Sequence, residues 1–299
     1  MIGALQFGIP AAEYHNHQAL SKSQLAVFAQ CPALYKYHFI DGHPIKETDD
    51  MRLGSAAHML ALEPARFAGS YYVLPDTQDG KKLVRNTSHK FPGCYNDHLK
   101  LAGEKSIITQ IQAAKTHAIA RALLTDPATR MLLQTDCQRP GYAEHRFESS
   151  IFWTDEETGL DLRCRPDDIR SDDIILDLKV TDSADPDDFG RNAANFKYDL
   201  SVAQTSAGFE ALHGRKPADY ILIAIERDEP NLVSCFRTFD AAPESQSVLD
   251  IGNHRWRNLL RRFKVCLDAN HWPAYVSEIG PLKFPAWSVR KIEENKEGL

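Results

Sequence analysis

The chain has 299 residues, 43% hydrophobic and 25% charged, which is ordinary globular usage and excludes a disordered or fibrous protein. Its 35 basic and 41 acidic residues leave a formal net charge of −6. That balance disfavours a protein that coats DNA through bulk positive charge, but not an enzyme that gathers acids around a metal and meets nucleic acid with a local basic surface. No apolar run approaches the roughly 18 residues needed to cross a bilayer, so no membrane partner is expected. The first ten residues lack the basic-then-apolar order of a secretory signal, so the expected compartment is the cytoplasm. The six cysteines (31, 94, 137, 164, 235 and 266) form no CxxC or CxH pair, which argues against a ribbon-type zinc site or a disulfide framework.

Ser21-Lys22-Ser23-Gln24 has the form of a capping box, and Leu25, Phe28 and Ala29 behind it share one helical face. Pro32 fits the first position of a following helical turn. A second helix is expected over 51–62, with Leu53, Ala56, Ala57 and Leu60 as its stripe and Pro64 as its end. The polar, turn-rich stretch 75–103 reads as a mobile surface loop. Helices are expected over 105–124 and 127–133. The centre changes to strands: 143–153, a hairpin turn at 155–159, a return strand over 160–166, and an apolar strand over 174–180 carrying two charges. Helices near 185–195 and 199–213 precede a buried-type strand, 220–226, and its hairpin partner, 232–239. A long final helix, 243–268, puts Trp256, Leu259, Leu260, Phe263 and Leu267 on one side. The expected fold class is α/β (α+β), a mixed sheet flanked by helices with a helical N-terminal elaboration. One domain over 1–299 is expected, with a helical part at 1–135, a sheet core at 136–240 and a C-terminal helix and tail at 241–299.

The most informative residues are Arg165-Pro166-Asp167 and Asp177-Leu178-Lys179. Alternation along a strand sends Asp177 and Lys179 to one side and Leu178 to the other. A tight turn at 170–173 would bring Asp167, ten residues earlier, beside Asp177. Two facing carboxylates suit a hard divalent cation such as Mg2+, and a neighbouring lysine would position or help deprotonate a water attacking a phosphodiester. A D-x-K pair on a strand is more often a solvated edge or a local salt bridge. Here its neighbours are Ile, Leu and Val, among which unpaired charges are expensive. Arg257, Arg261 and Lys264, flanked by Arg255 and Arg262, share the solvent face of the last helix. The 81–90 stretch adds Lys81, Lys82, Arg85, His89 and Lys90. The helical face would bind phosphates by counterion release, remain simply solvated or meet a neighbouring subunit, and the 81–90 stretch is a second candidate for contacting DNA at the cleft mouth.

In these residues the chain resembles the PD-(D/E)xK nuclease superfamily, and within it the RecE-type exonucleases (exodeoxyribonuclease VIII), relatives of the RecB and AddB nuclease domains. The resemblance runs through Ser21–Leu25, Cys31–Tyr35, Met51–His58, Leu62–Pro64, Phe152–Asp155, Cys164–Asp167, Asp177–Lys179, Gln204, Trp272-Pro273 and Pro285–Trp287. It implies that His58, Asp167, Asp177 and the Leu178 carbonyl hold metal and that Lys179 serves the attacking water or the developing charge. By its own pattern, His58 is a helical histidine at the margin of an apolar stripe, with Gly54 one turn earlier. Glu148 matches the acid of the first core strand, with Glu144 as its competitor. Gln204 matches the family glutamine that orients the lysine or a phosphate; read from the pattern alone, it is a buried amide bonded to backbone. Gly208 stands where the family has a tyrosine, and Tyr198 is the alternative aromatic.

The resemblance further implies a Mg2+-dependent exonuclease, with Mn2+ as a substitute, acting on linear double-stranded DNA in phage-type recombination. It would resect the 5′-ended strand as a homo-oligomeric ring such as a tetramer, beside a RecT-like single-strand annealing protein. Some relatives hold an iron–sulfur cluster with one early and three late cysteines. Only Cys266 lies late here, so no cluster is expected. The rivals are an endonuclease or single-strand nuclease on the same core, and a catalytically silent DNA-binding or assembly module.

Overall fold

A computed structural model describes residues 4–6, 9, 11–78, 81–82, 92–133, 144–242, 245–276 and 278–284. In chain order the first elements are β1 (Ala4–Gln6), α1 (Ala11–Asn16), β2 (Leu20–Ser21), α2 (Lys22–Gln30) and α3 (Pro32–Tyr35). A π-helical turn, Lys36–Ile40, leads to α4 (Asp49–Leu62), α5 (Pro64–Ser70), β3 (Tyr71–Leu74), β4 (Thr77–Gln78) and β5 (Lys81–Lys82). Then come α6 (Pro92–Ala102), β6 (Ser106–Thr109), α7 (Gln110–Thr125), α8 (Pro127–Leu133), β7 (His145–Phe147) and β8 (Ser150–Thr154). The remainder is β9 (Asp161–Cys164), β10 (Asp168–Arg170), β11 (Ile174–Thr181), α9 (Pro186–Asn195), α10 (Tyr198–His213), β12 (Asp219–Glu226), β13 (Val233–Arg237) and α11 (Val248–Ala269).

A five-stranded mixed sheet in the order β13-β12-β11-β10-β7 carries the charged strand near its middle. β11 and β12 run parallel, with Asp177 beside Leu222 and Lys179 beside Ala224, and α9 and α10 make the crossover between them. One face of this sheet, with Leu176, Leu178, Ile221, Ile223 and Ile225, packs under α4, α7 and α8 through Leu53, Ala57, Ile119, Leu123 and Leu133. Tyr220, Leu222 and Ala224 belong to a second cluster with α2, α10, α11 and a smaller sheet, β1-β8-β9-β2. The mixed sheet flanked by helices matches the expected fold class.

The capping box of α2 forms as expected: Gln24 N donates to Ser21 Oγ at 3.3 Å, and Ser21 N donates to Gln24 Oε1 at 2.8 Å. Pro32 opens α3. Three expectations need correction. The stretch 75–103 contains α6, in which His98 and Ala102, one turn apart, are the buried positions among the described side chains. Residues 106–109 leave the expected helix and pair in parallel with β3; α7 starts only after Thr109, whose capping box with Gln112 is the stop-and-start signal. In α11, Leu267 is exposed while Trp256, Leu259, Leu260 and Phe263 are buried.

Gln204 is also corrected. It is fully buried, its Nε2 donates to the carbonyls of Leu20 (3.0 Å) and Arg163 (2.8 Å), and its Oε1 accepts from Trp256 Nε1 (3.2 Å). With both N–H donors spent on β2 and β9 and its oxygen accepting from α11, it ties layers together and has no N–H left for a phosphate. The helix it sits on is enclosed on several sides, since residues 199–206 are all buried. Gly208 is explained by the same crowding, since a Cβ would lie 2.7 Å from the Trp153 ring and 2.9 Å from Cys164 Sγ.

The basic stripe of α11 is largely neutralised within the fold. Arg257 Nη1 donates to both oxygens of Asp155, at 2.7 and 2.9 Å, Arg261 pairs with Glu157, and Lys264 pairs with Asp268. The hairpin turn thus docks on α11, correcting the picture of a free phosphate-binding face. Lys81 and Lys82 form β5, and Arg85 lies outside the described residues.

Two consequences are measurable. α10 and α11 meet so closely at Gly252 that a Cβ there would collide with the Asp199 carbonyl oxygen. Gly252→Ala should therefore cost about 1–3 kcal/mol, read as a lower urea midpoint at unchanged m. Burial alone would raise the Asp155 carboxyl, but Thr158 and Arg257 hold it below the usual aspartate range. A depressed native value means the stabilisation is complete above about pH 4 and fades as pH falls through it. Urea midpoints taken between pH 3 and 6 should fall at the acid end in the parent, and less steeply in Asp155→Asn.

Candidate functional site

The hairpin of β10 and β11 pairs Asp168 with Leu176 and Ile169 with Ile175, so the residue before β10, Asp167, arrives level with Asp177 and Leu178. The Leu178 N–H donates to Asp167 Oδ2 at 2.6 Å. On β11, alternation sends Asp177 and Lys179 to one side and fully buried Leu178 to the other, as expected. Lys179 Nζ is ion-paired with Asp177 Oδ1 and lies 3.3 Å from the Leu178 carbonyl oxygen. The second oxygen of Asp177 accepts from Tyr220 Oη at 2.7 Å. Sequence reasoning missed Tyr220, although a tyrosine at the start of an otherwise aliphatic strand was the available signal.

The strand expected over 143–153 is interrupted. β7 belongs to the five-stranded sheet and β8 to the smaller one, and at the break Glu148 adopts a φ of +49°. Its N–H donates to the Asp167 carbonyl at 3.0 Å, which sets the Glu148 side chain against the Asp167 carboxylate. Glu144, the alternative acid, is exposed at the far end of β7, where its backbone bonds Ser171. On α4, capped by Thr48, His58 reaches down so that its Nδ1 lies 3.5 Å from Asp167 Oδ1.

His58, Glu148, Asp167, Asp177, Lys179 and Tyr220 line one cleft of about 720 Å3, together with Lys22, Arg165, Glu63 and Arg66. Burial and the charge of Asp167 push Glu148 up to about 7. Burial opposes ionisation of Asp167 too, but His58, Lys179 and the Leu178 N–H more than compensate and hold it well below the carboxylate range. Burial lowers and Asp167 raises His58, and the carboxylate wins. Lys179 follows the same pattern with Asp177 and Asp167. The result is a tight charge network in a half-enclosed cleft, in which the Glu148 carboxyl has no hydrogen-bonded or ion-paired partner among the described residues.

As described, Asp167 is engaged by His58, and Asp177 by Lys179 and Tyr220. Among the described residues, no three His, Cys, Asp or Glu side chains converge as a metal-binding group. The donor chemistry nonetheless suits a hard divalent cation: carboxylate oxygens, a backbone carbonyl and one imidazole. The mutual repulsion of Glu148 and Asp167 is what such a cation would relieve.

No curated protein matches the chain. Among solved structures, a protein from Eubacterium rectale titled "Putative exonuclease" superposes with a TM-score of 0.55 at 13% identity, covering 95% of this chain and 98% of that one. At that identity the likeness shows the fold. The model of the family described as "PDDEXK-like domain of unknown function (DUF3799)" matches residues 21–283, and with the acids and lysine of that signature gathered in one cleft, the chain belongs to this family.

Proposed function

We propose that the protein is a divalent-metal-dependent deoxyribonuclease, specifically an exonuclease that degrades linear double-stranded DNA from the 5′-ended strand. The observation that carries this reading is the placement of Glu148, a carboxyl without a partner among the described residues, against Asp167 in a cleft that also presents the Lys179 ammonium. Asp167, Asp177, Glu148, the Leu178 carbonyl and His58 would hold the metal. Bound there, Mg2+, or Mn2+ in its place, supplies a lower pKa for water and charge neutralisation at phosphate oxygens.

The chain's own residues account for the rest. Asp177 and the Leu178 carbonyl hold the Lys179 ammonium in place, so it meets a phosphate as a fixed cation that stabilises charge developing in the transition state. Tyr220 fixes the second oxygen of Asp177 and with it the orientation of that carboxylate. His58, held against Asp167, closes the cleft from the α4 side.

The exonucleolytic, double-strand-specific part of the proposal rests on the RecE-type resemblance, and the exonucleolytic part alone agrees with the name of the Eubacterium rectale protein. The resemblance also supports a ring-forming homo-oligomer working in phage-type recombination beside a single-strand annealing protein, and a single nuclease domain across the chain.

Digestion of linear duplex labelled at either end tests the reading. With Mg2+, the 5′ label should appear early in short products, closed circular DNA should be spared, and EDTA should stop the reaction. Lys179→Ala should lose at least about a hundredfold in rate, the scale of one preorganised charge-stabilising donor. Circular dichroism and DNA affinity should stay near those of the parent. Undiminished Mg2+-dependent degradation by that variant would sink the assignment.

A further inference from the structure

A second feature flanks the cleft and takes no part in the network around Asp167. Lys22, at the first position of α2, lines the cleft. Its ammonium stands 5.5 Å from the centroid of the Tyr198 ring, and Lys179 stands 5.2 Å from the same ring. Lys22 forms no hydrogen bond or ion pair among the described residues. Burial, with the nearby charge of Lys179, pulls it down to about 8. A half-buried ammonium with no ion pair of its own, beside a second one already paired with Asp177, is a cost to the fold that a further anion would relieve.

The same ring continues outward. Phe196 stacks on Tyr198, with centroids 6.0 Å apart and planes at 21°, yet Phe196 is 62% exposed in the short link between α9 and α10. Between the two aromatics, Lys197 takes the left-handed conformation (φ 56°, ψ 48°), uncommon for a side chain of its size. Its side chain likewise has no ion-pair partner among the described residues. Two stacked rings, the outer one open to solvent, therefore lie among three lysines. Each base offers a π-face to such a ring, and each phosphate offers a charge to such a lysine.

We propose that Phe196, Tyr198, Lys22 and Lys197 form a binding patch for an unpaired nucleotide of the DNA strand beside the cleavage centre. Its base stacks on Phe196 and its flanking phosphates meet Lys22 and Lys197. The inference deepens the nuclease reading and rests on it. It implies that the strand being cut is separated from its complement where it enters the cleft, since a paired base has no free face to lay on Phe196.

The test is equilibrium binding, by fluorescence anisotropy, of a labelled 20-nucleotide dT strand and of a blunt hairpin duplex to the Lys179→Ala chain in Mg2+. Adding Phe196→Ala should weaken binding of the strand on the order of tenfold and change binding of the blunt duplex little. Adding Lys22→Met should lower the slope of log affinity against log salt for the strand by about 0.7, one phosphate contact, and Lys22→Arg should restore it. Melting temperatures near the parent's would exclude misfolding, as an exposed ring and a half-buried lysine predict. Parent-like strand affinity and salt slope in both variants would overturn the patch, as would a parent that binds neither DNA. Degradation of linear duplex by the unaltered chain is scored separately. If it persists while the variants bind like the parent, the patch alone fails. If it is absent while the variants lose strand affinity, the nuclease reading fails and a strand-binding surface remains.

Discussion

Putting a carboxylate and an ammonium side by side on an aliphatic strand is the constraint to which the rest of this structure answers. Asp177 and Lys179 sit on β11, whose other face, with Leu176 and Leu178, belongs to a fully apolar layer. Charges so placed are tolerated only when each is paired and hydrogen-bonded. The fold supplies those partners from four directions: Tyr220 from the parallel neighbour, Leu178 from the strand itself, Asp167 from the preceding hairpin, and the ring of Tyr198 from the crossover helix. Each partner must be delivered with a precision of tenths of an ångström, which explains why the surrounding helices pack so closely.

That closeness is visible where α10 threads between α11 and the smaller sheet. Gly208 gives way to Trp153 and Cys164, Gly252 gives way to the backbone at Asp199, and Gln204 spends its amide on the carbonyls of two separate strands. None of these residues touches the cleft chemistry. Together they set the height of Tyr198 and Lys197 above β11, so the crowded core and the charged cleft are one construction problem.

Much of this was legible from local chemistry. The capping box at Ser21, the proline that opens α3, the hairpin turn closed by Gly159 and the charged pair on β11 are all short-range signals, and short-range physics placed them correctly. What was not legible depended on distant partners. A hydrogen-bonding glutamine on a helix reads equally as site or scaffold until Leu20 and Arg163 are seen to claim it. A basic helical face reads as a DNA surface until Asp155 and Glu157, about a hundred residues earlier, occupy it. Ser106–Thr109 resembled the start of a helix because the β3 strand that recruits it lies more than thirty residues upstream. Tyr220 and Lys22 escaped for a related reason: each gains its meaning only from a neighbour brought in by the sheet.

The break at Glu148 has a reach beyond its own side chain. Because β7 pairs in one sheet and β8 in the other, the two residues between them are the joint at which one strand passes from sheet to sheet. The acid at that joint inherits the angle between the sheets, and so does Asp167, in the link from β9 of the smaller sheet to β10 of the larger, while Asp177 rides on the larger sheet alone. A substitution that repacks the smaller sheet against α10, far from any reacting atom, would therefore shift Glu148 and Asp167 against Asp177. Changes along that hinge line of apolar residues would alter the geometry of the cleft while leaving every polar residue of the site in place.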